Sequence, residues 1–188
     1  MAAKLDVEIL RRQCWDRAIH AFATATVLER RAAALQRKTR ALTFLGIIGP
    51  LLVGGLVLSF GATASWVPGL LVAASVLGVV QLVLSVWSLV ASWNAAWAYA
   101  QESASDNYRL SDAYQKLGTN PPKDLEVRFE LVEASYLHRS SADVARGVSA
   151  EEKRQGHRVA LHRFARECPK CKVIPNPDAP TSCSNCGQ

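Results

Sequence analysis

The chain has 188 residues with 22 Lys/Arg against 16 Asp/Glu, a net charge of +6, and 49% of its residues are hydrophobic. The average hides a segregated chain, because residues 41–101 contain no Asp, Glu, Lys or Arg. A charge at the centre of a bilayer costs roughly 2.5–3.5 kcal/mol on insertion scales, so a membrane enforces such a run whereas a soluble core does not. An ordinary soluble domain is therefore excluded as the expectation for the middle of the chain, and a soluble buried hairpin is the weaker alternative.

Residues 1–40 hold nine Lys/Arg against four Asp/Glu, a net +5. They contain no Gly or Pro, and the Ala, Leu, Arg, Glu and Gln content predicts one cytoplasmic amphipathic helix. No signal peptide is expected, because the first residues are charged and lack an apolar stretch of sufficient length. Val7, Cys14, Ala21, Leu28 and Leu35 recur every seven residues, widened by Ala18, Ala25 and Ala32. A seven-residue repeat suits pairing with another copy of the helix, and packing on the chain's own C-terminal helices serves the same stripe equally well.

The first transmembrane span is expected at 41–60, about the length a bilayer core requires, with Pro50 mid-span as an expected kink. An extracytoplasmic loop follows at 61–69, and the second span is expected at 70–92. Phe60 and Trp66 on one side, and Trp93, Trp97 and Tyr99 on the other, suit aromatic belts. The basic flank Arg37, Lys38 and Arg40 places both termini in the cytoplasm by the positive-inside rule.

Residues 93–167 return to soluble composition and read as a cytoplasmic helical region. A helix through Tyr108, Tyr114 and Leu117 is expected to stop at Gly118, a C-cap glycine, before Pro121-Pro122. For residues 123–146 helical spacing of Leu125, Phe129, Val132, Tyr136 and Leu137 competes with a short strand-like alternation, and length favours helix. Ser149 and Glu152 form a capping box that opens a last helix ending near Glu167. The expected fold is thus all-α: a long N-terminal helix, a two-helix transmembrane hairpin, cytoplasmic helices and a small C-terminal zinc ribbon or knuckle.

The tail, 168–188, carries the most specific signal. Cys168-x-x-Cys171 and Cys183-x-x-Cys186 are separated by eleven residues. Two such knuckles complete a tetrahedral site, so a structural Zn2+ held by four thiolates is expected, with an iron site as runner-up. Lys172 stands where a glycine often follows the first pair, and Pro175, Pro177 and Pro180 rule out a helix between the pairs. Cys14 is expected only to pack, and His20, His138, His157 and His162 show no ligand-like arrangement.

In the second span Gly78, Gln81, Ser85, Ser88 and Ser92 fall on one helical stripe. Several copies around an axis would let this stripe line an aqueous pore. Small-residue packing, with Gln81 and the serines bonding across to the first span, explains the same spacing and takes precedence on spacing alone. No phosphate loop, nucleophile elbow or dinucleotide fingerprint is present in the sequence, so an enzyme is not expected.

The layout over roughly residues 1–145 resembles the SLATT-type two-transmembrane effectors of prokaryotic conflict systems, and the tail spacing resembles the mobilome CxxCx(11)CxxC proteins. The resemblance implies an effector of the bacterial inner membrane that works beside a nucleotidyltransferase in anti-phage defence, most like the Hailong system. It implies a homo-oligomeric ion channel gated by a nucleotide or oligonucleotide. A tetramer is the expected ring, since oligomers tend to closed symmetry. Arg30, Arg31, Arg37, Lys38 and Arg40 are the candidates for the nucleotide phosphates, because their charge suits them. The alternative function is a membrane-anchored adaptor whose zinc tail and helices bind a cytoplasmic partner.

Overall fold

The structure is a computed structural model that describes residues 2–60, 65–179 and 181–187, the side chains of 2–6 and 60 excepted. Its helices are α1 (Ala2–Phe60), α2 (Val67–Val90), α3 (Trp93–Thr119), α4 (Leu125–Val144) and α5 (Ala150–Arg163), with no strand among the described residues. The 123–146 segment is therefore helical, as its length favoured. Contacts divide the chain into two units, residues 1–31 with 99–188, and residues 32–98.

The first unit is built against the small residues of α1. Cys14, Ala18, Ala21, Ala25 and Leu28 are all buried within the single chain, while Val7 is 43% exposed. From Cys14 to Leu28 the seven-residue stripe thus packs on the chain's own helices, and that stretch is not left free to pair with a second copy. Three contacts show how closely those helices approach. Ser111 Oγ on α3 donates to the Ala18 carbonyl at 2.9 Å. A Cβ at Gly156 on α5 would lie 2.6 Å from the Ala23 carbonyl oxygen, and one at Gly118 would lie 3.0 Å from the Trp15 ring. Gly118 accordingly sits inside α3, which runs to Thr119, and serves the approach of Trp15 in place of a C-cap.

Tyr114 is fully buried with Cys14, Ala18, Leu117 and Leu125. Its hydroxyl donates to Glu133 Oε2 at 2.6 Å, and Arg17 pairs with the other oxygen of that carboxylate. Burial, then the bond to Glu133, pushes the Tyr114 hydroxyl well above the ordinary tyrosine range. The stem of α5 is set by its own first turn: Ser149 Oγ accepts from Glu152 N, and Glu152 returns the bond to Ser149 N. The helix ends at Arg163, four residues short of the expectation. Ala165 takes φ +49°, a left-handed conformation that breaks the helical run before the tail.

In the second unit, α1 continues without interruption through the expected boundary at 40/41 and through Pro50. Gly46 and Gly49 before Pro50 do not end the helix, nor does the proline, which removes one backbone donor and crowds the carbonyl four residues earlier. The second helix begins at Val67, with Pro68 in its first turn, and ends at Val90. Ser92 has φ +51° and lies in the turn before α3, so it leaves the helical stripe on which spacing had put it. Both α1 and α2 are long and apolar enough to cross a membrane, and their apolar windows have no residue buried within the chain. Of the loop expected at 61–69, residues 61–64 lie outside the described residues, as does the Phe60 side chain. Of the second belt, Lys38 Nζ lies 5.7 Å from the Trp93 ring centroid. Tyr99 belongs instead to the first unit, where its hydroxyl donates to Asp143 at 2.7 Å.

One ion pair ties α5 to α1. Arg31 Nε and Nη2 each donate to Glu152 at 2.7 Å, and Nη2 also donates to the Gly147 carbonyl at 2.8 Å. The Arg31 guanidinium brings the Glu152 carboxyl down to about 2, from an ordinary value of 4.5. Because the folded value is depressed, the pair stabilises the fold above pH 4.5 and that contribution is lost as pH falls toward 2. Glu152→Gln keeps a side chain that can close the capping box and removes the charge. It should cost about 1 kcal/mol in denaturant unfolding near neutral pH, and the gap from the wild type should close as the pH approaches 2. A gap unchanged between pH 7 and pH 2 would show that the charge contributes nothing.

Candidate metal centre and its surroundings

The tail adopts two turns, each built around a CxxC pair. In the first, Lys172 N donates to the Cys168 carbonyl at 2.9 Å and Cys168 N donates to the Val173 carbonyl at 3.0 Å. Lys172 occupies the left-handed region at φ +58°, so it adopts the conformation that makes glycine common there. In the second, Gly187 N donates to the Cys183 carbonyl at 2.7 Å. A Cβ at Gly187 would lie 2.0 Å from the Thr181 carbonyl oxygen, so only glycine fits.

These turns bring the ligand atoms of Cys168, Cys171, Cys183 and Cys186 within 4.8 Å of one another. Cys168 and Cys183 sulfurs are 4.0 Å apart, and those of Cys171 and Cys186 are 3.7 Å apart. A metal about 2.3 Å from each of four sulfurs in a tetrahedron sets them about 3.8 Å apart. The spacing and the all-sulfur donor set therefore fit one metal ion. Four ligands close the coordination shell, so such an ion would support the fold and offer no open position to a substrate.

Electrostatics in the cluster point the same way. Burial works to raise the Cys168 thiol, but donors from the Cys171 and Lys170 backbone and the Asn185 amide outweigh it and bring the group down to about 6. Backbone donors from Asn185 and Cys186 lower Cys183 as well. Burial, reinforced by the three neighbouring sulfurs, pushes Cys186 up to about 12. Ionising one sulfur discourages the next, and a divalent cation among them removes that conflict.

The cluster is not a free appendage. Cys168 and Cys186 are fully buried in one apolar cluster with Ile19 and Ala23 of α1 and Ala160 and Leu161 of α5, with Phe22 and Phe164 packed against it. A His162 Nδ1 contact of 3.1 Å to the Pro175 carbonyl holds the intervening loop to α5. Cys14 is buried in the neighbouring cluster, and burial raises its thiol.

The remaining sequence-derived site residues lie on α1 and around α2. Arg31 is committed to Glu152 and two backbone carbonyls, so it is not a free phosphate ligand. Arg30 belongs to the first unit, and Arg37, Lys38 and Arg40 to the second. Arg37 reaches only its own helix, at the Ala33 carbonyl. On α2, Gln81 and Ser88 are half-buried, whereas Gly78 and Ser85 are exposed. A Cβ at Gly46 would lie 2.4 Å from Gln81 Nε2, so that amide lies against α1 within the second unit.

Two features were not legible in the sequence. Asp143 is 4% exposed and its oxygens accept from Tyr99, Ser103 and Asn107, at 2.5–2.8 Å. His20 of α1 and His157 of α5 stack with ring centroids 6.0 Å apart. Each pairs residues from distant elements, and only the helix crossings bring them together.

The class defined by these observations is an all-helical protein with two helices long and apolar enough to span a membrane and a C-terminal four-cysteine cluster. Residues 11–188 match the model of the mobilome CxxCx(11)CxxC protein family, and the chain belongs to that family. Neither the curated proteins nor the solved structures contain a match.

Elemental analysis of the purified chain should find one metal ion per chain. Cys183→Ser should lower that occupancy at least several-fold at a limiting metal concentration, while Cys14→Ala leaves it unchanged. Equal loss in both variants would remove the assignment.

Proposed function

We propose that the chain is an oligomeric membrane effector that forms an ion-conducting pore in the bacterial inner membrane. A nucleotide or oligonucleotide signal of anti-phage defence gates it. The observation that carries this reading is the exposed apolar surface of the second unit. Leu58 is 88% exposed, Leu89 75% and Leu77 69%, and the chain offers these side chains no cover. Apolar surface on this scale needs lipid or further copies of the chain. Lipid admits helices because they satisfy their own backbone bonds. Charge asymmetry places both termini in the cytoplasm, where the tail thiols remain reduced and hold a structural Zn2+. The effector role itself rests on the resemblance to SLATT-type proteins.

A specific observation favours a second reading. The Gln81 amide lies against Gly46 in its own hairpin, which takes the strongest polar group of the stripe away from a lumen. On this reading the hairpin is an anchor, and the tail is a docking module for a cytoplasmic partner. Its loop presents Val173 at 60% exposure.

Reconstitution into lipid vesicles separates the two. The pore reading predicts ion flux through an oligomer, reduced at least tenfold by Gln81→Leu with insertion unchanged. Vesicles that stay tight with the protein inserted, with and without nucleotide extract, would leave the anchored adaptor.

A further inference from the structure

A cavity of about 450 Å3 opens within the first unit. Its cationic side is supplied by consecutive residues of α5, Lys153 and Arg154, with the stacked His20 and His157 beside them. Its apolar side comes from Val27, Val144 and Val148, with the Tyr136 ring. Asp143 also lines the cavity, but both its oxygens already accept hydrogen bonds from Tyr99, Ser103 and Asn107.

One polar group in the cavity wall lacks a partner. Arg154 Nε is buried and makes no hydrogen bond among the described residues. A buried guanidinium N–H left unpaired is costly. Arg158 Nε and Nη1 are unpaired too, but Arg154 is the one that lines this cavity, where an acceptor can arrive from outside. The guanidinium fork matches the oxygens of a phosphate, and an ammonium on the adjacent residue supplies a second charge. A volume of this size, apolar on one side and cationic on the other, is of the order that small-molecule sites occupy.

We propose that this cavity binds a small organic phosphate, with Lys153, Arg154 and the His20–His157 pair on the phosphate and the Val27/Val144/Val148 side on its apolar part. The inference deepens the function proposed above, on which it rests for its purpose: it gives the gating signal a site. That site lies on α5 and shares with the basic flank only the charge argument. Arg31 takes part indirectly, as the ion-pair partner that fixes the first turn of α5 immediately before Lys153.

Calorimetric titration of the full-length protein in detergent, with inorganic pyrophosphate and with ADP as probes, tests the site without reference to conductance. Saturable binding of one pyrophosphate per chain is expected at low salt, with ADP binding more tightly. Lys153→Glu should weaken both at least tenfold, and Arg154→Gln likewise. Lys123→Glu, which places the same charge change on an exposed residue outside the cavity, should leave both unchanged. If Arg154→Gln fails to fold, the exposed Lys153 still carries the test. No saturable binding of either probe, or equal weakening by Lys153→Glu and Lys123→Glu, would overturn the site. Binding with no ion flux in vesicles would leave the site standing and remove the pore.

Discussion

The carbonyl of Ala23 and the methyl of Val27 lie against Gly156 more closely than any side chain at 156 would allow. That approach between α1 and α5 is the constraint on which the first unit depends. It brings Ala160 and Leu161 onto Ile19 and Ala23, and the same cluster receives Cys168 and Cys186. Individually these are small apolar contacts, worth about 0.8 kcal/mol per buried methylene. Collectively they make the tail's sulfur cluster part of the core. A metal ion that draws the four thiolates together therefore acts on the α1–α5 crossing and not only on the last twenty residues.

The polar interior follows from the same geometry. Close helix approach leaves little room for water, so the buried groups must satisfy one another. Asp143 does so through three donors from α3. Glu133 does so through Tyr114 and Arg17. Arg154 and Arg158 are exceptions among the described residues, each with buried donors left open, and Arg154 stands at a cavity. In the second unit the logic is reversed: the surface is apolar and the polar residues are few. Gln81 against Gly46 fixes one point of hairpin packing, and the apolar windows of α1 and α2 have no cover within the chain.

How much of this was legible in the sequence depended on the range of the interaction. The helices were legible because apolar spacing, the Ser149/Glu152 capping box and the absence of breakers are local. The four-cysteine site was legible because two turns of fixed length bring the sulfurs together almost regardless of what surrounds them. Spacing went astray at Ser92 and Gly118, where a helix ended earlier or later than the local signals implied. The Ser92 turn depends on a left-handed residue, and Gly118 answers to Trp15 from a helix about a hundred residues away. The seven-residue stripe of α1 was correctly seen as a packing face, but small residues suit a partner copy and the chain's own helices alike. The Asp143 network, the His20–His157 pair and the α5 cavity each join elements far apart in sequence, so no spacing could have announced them.

Amide hydrogen exchange decides whether the cysteine cluster closes the first unit through the α1–α5 crossing. The full-length protein would be compared before and after its metal is stripped with a chelator. Faster exchange is expected across Ala150–Arg163 and in α1 around Ile19–Val27, together with the tail, while Val67–Val90 is unaffected. Protection of α5 and of that stretch of α1 that survives metal removal unchanged would contradict it, and would make the cluster an independent appendage.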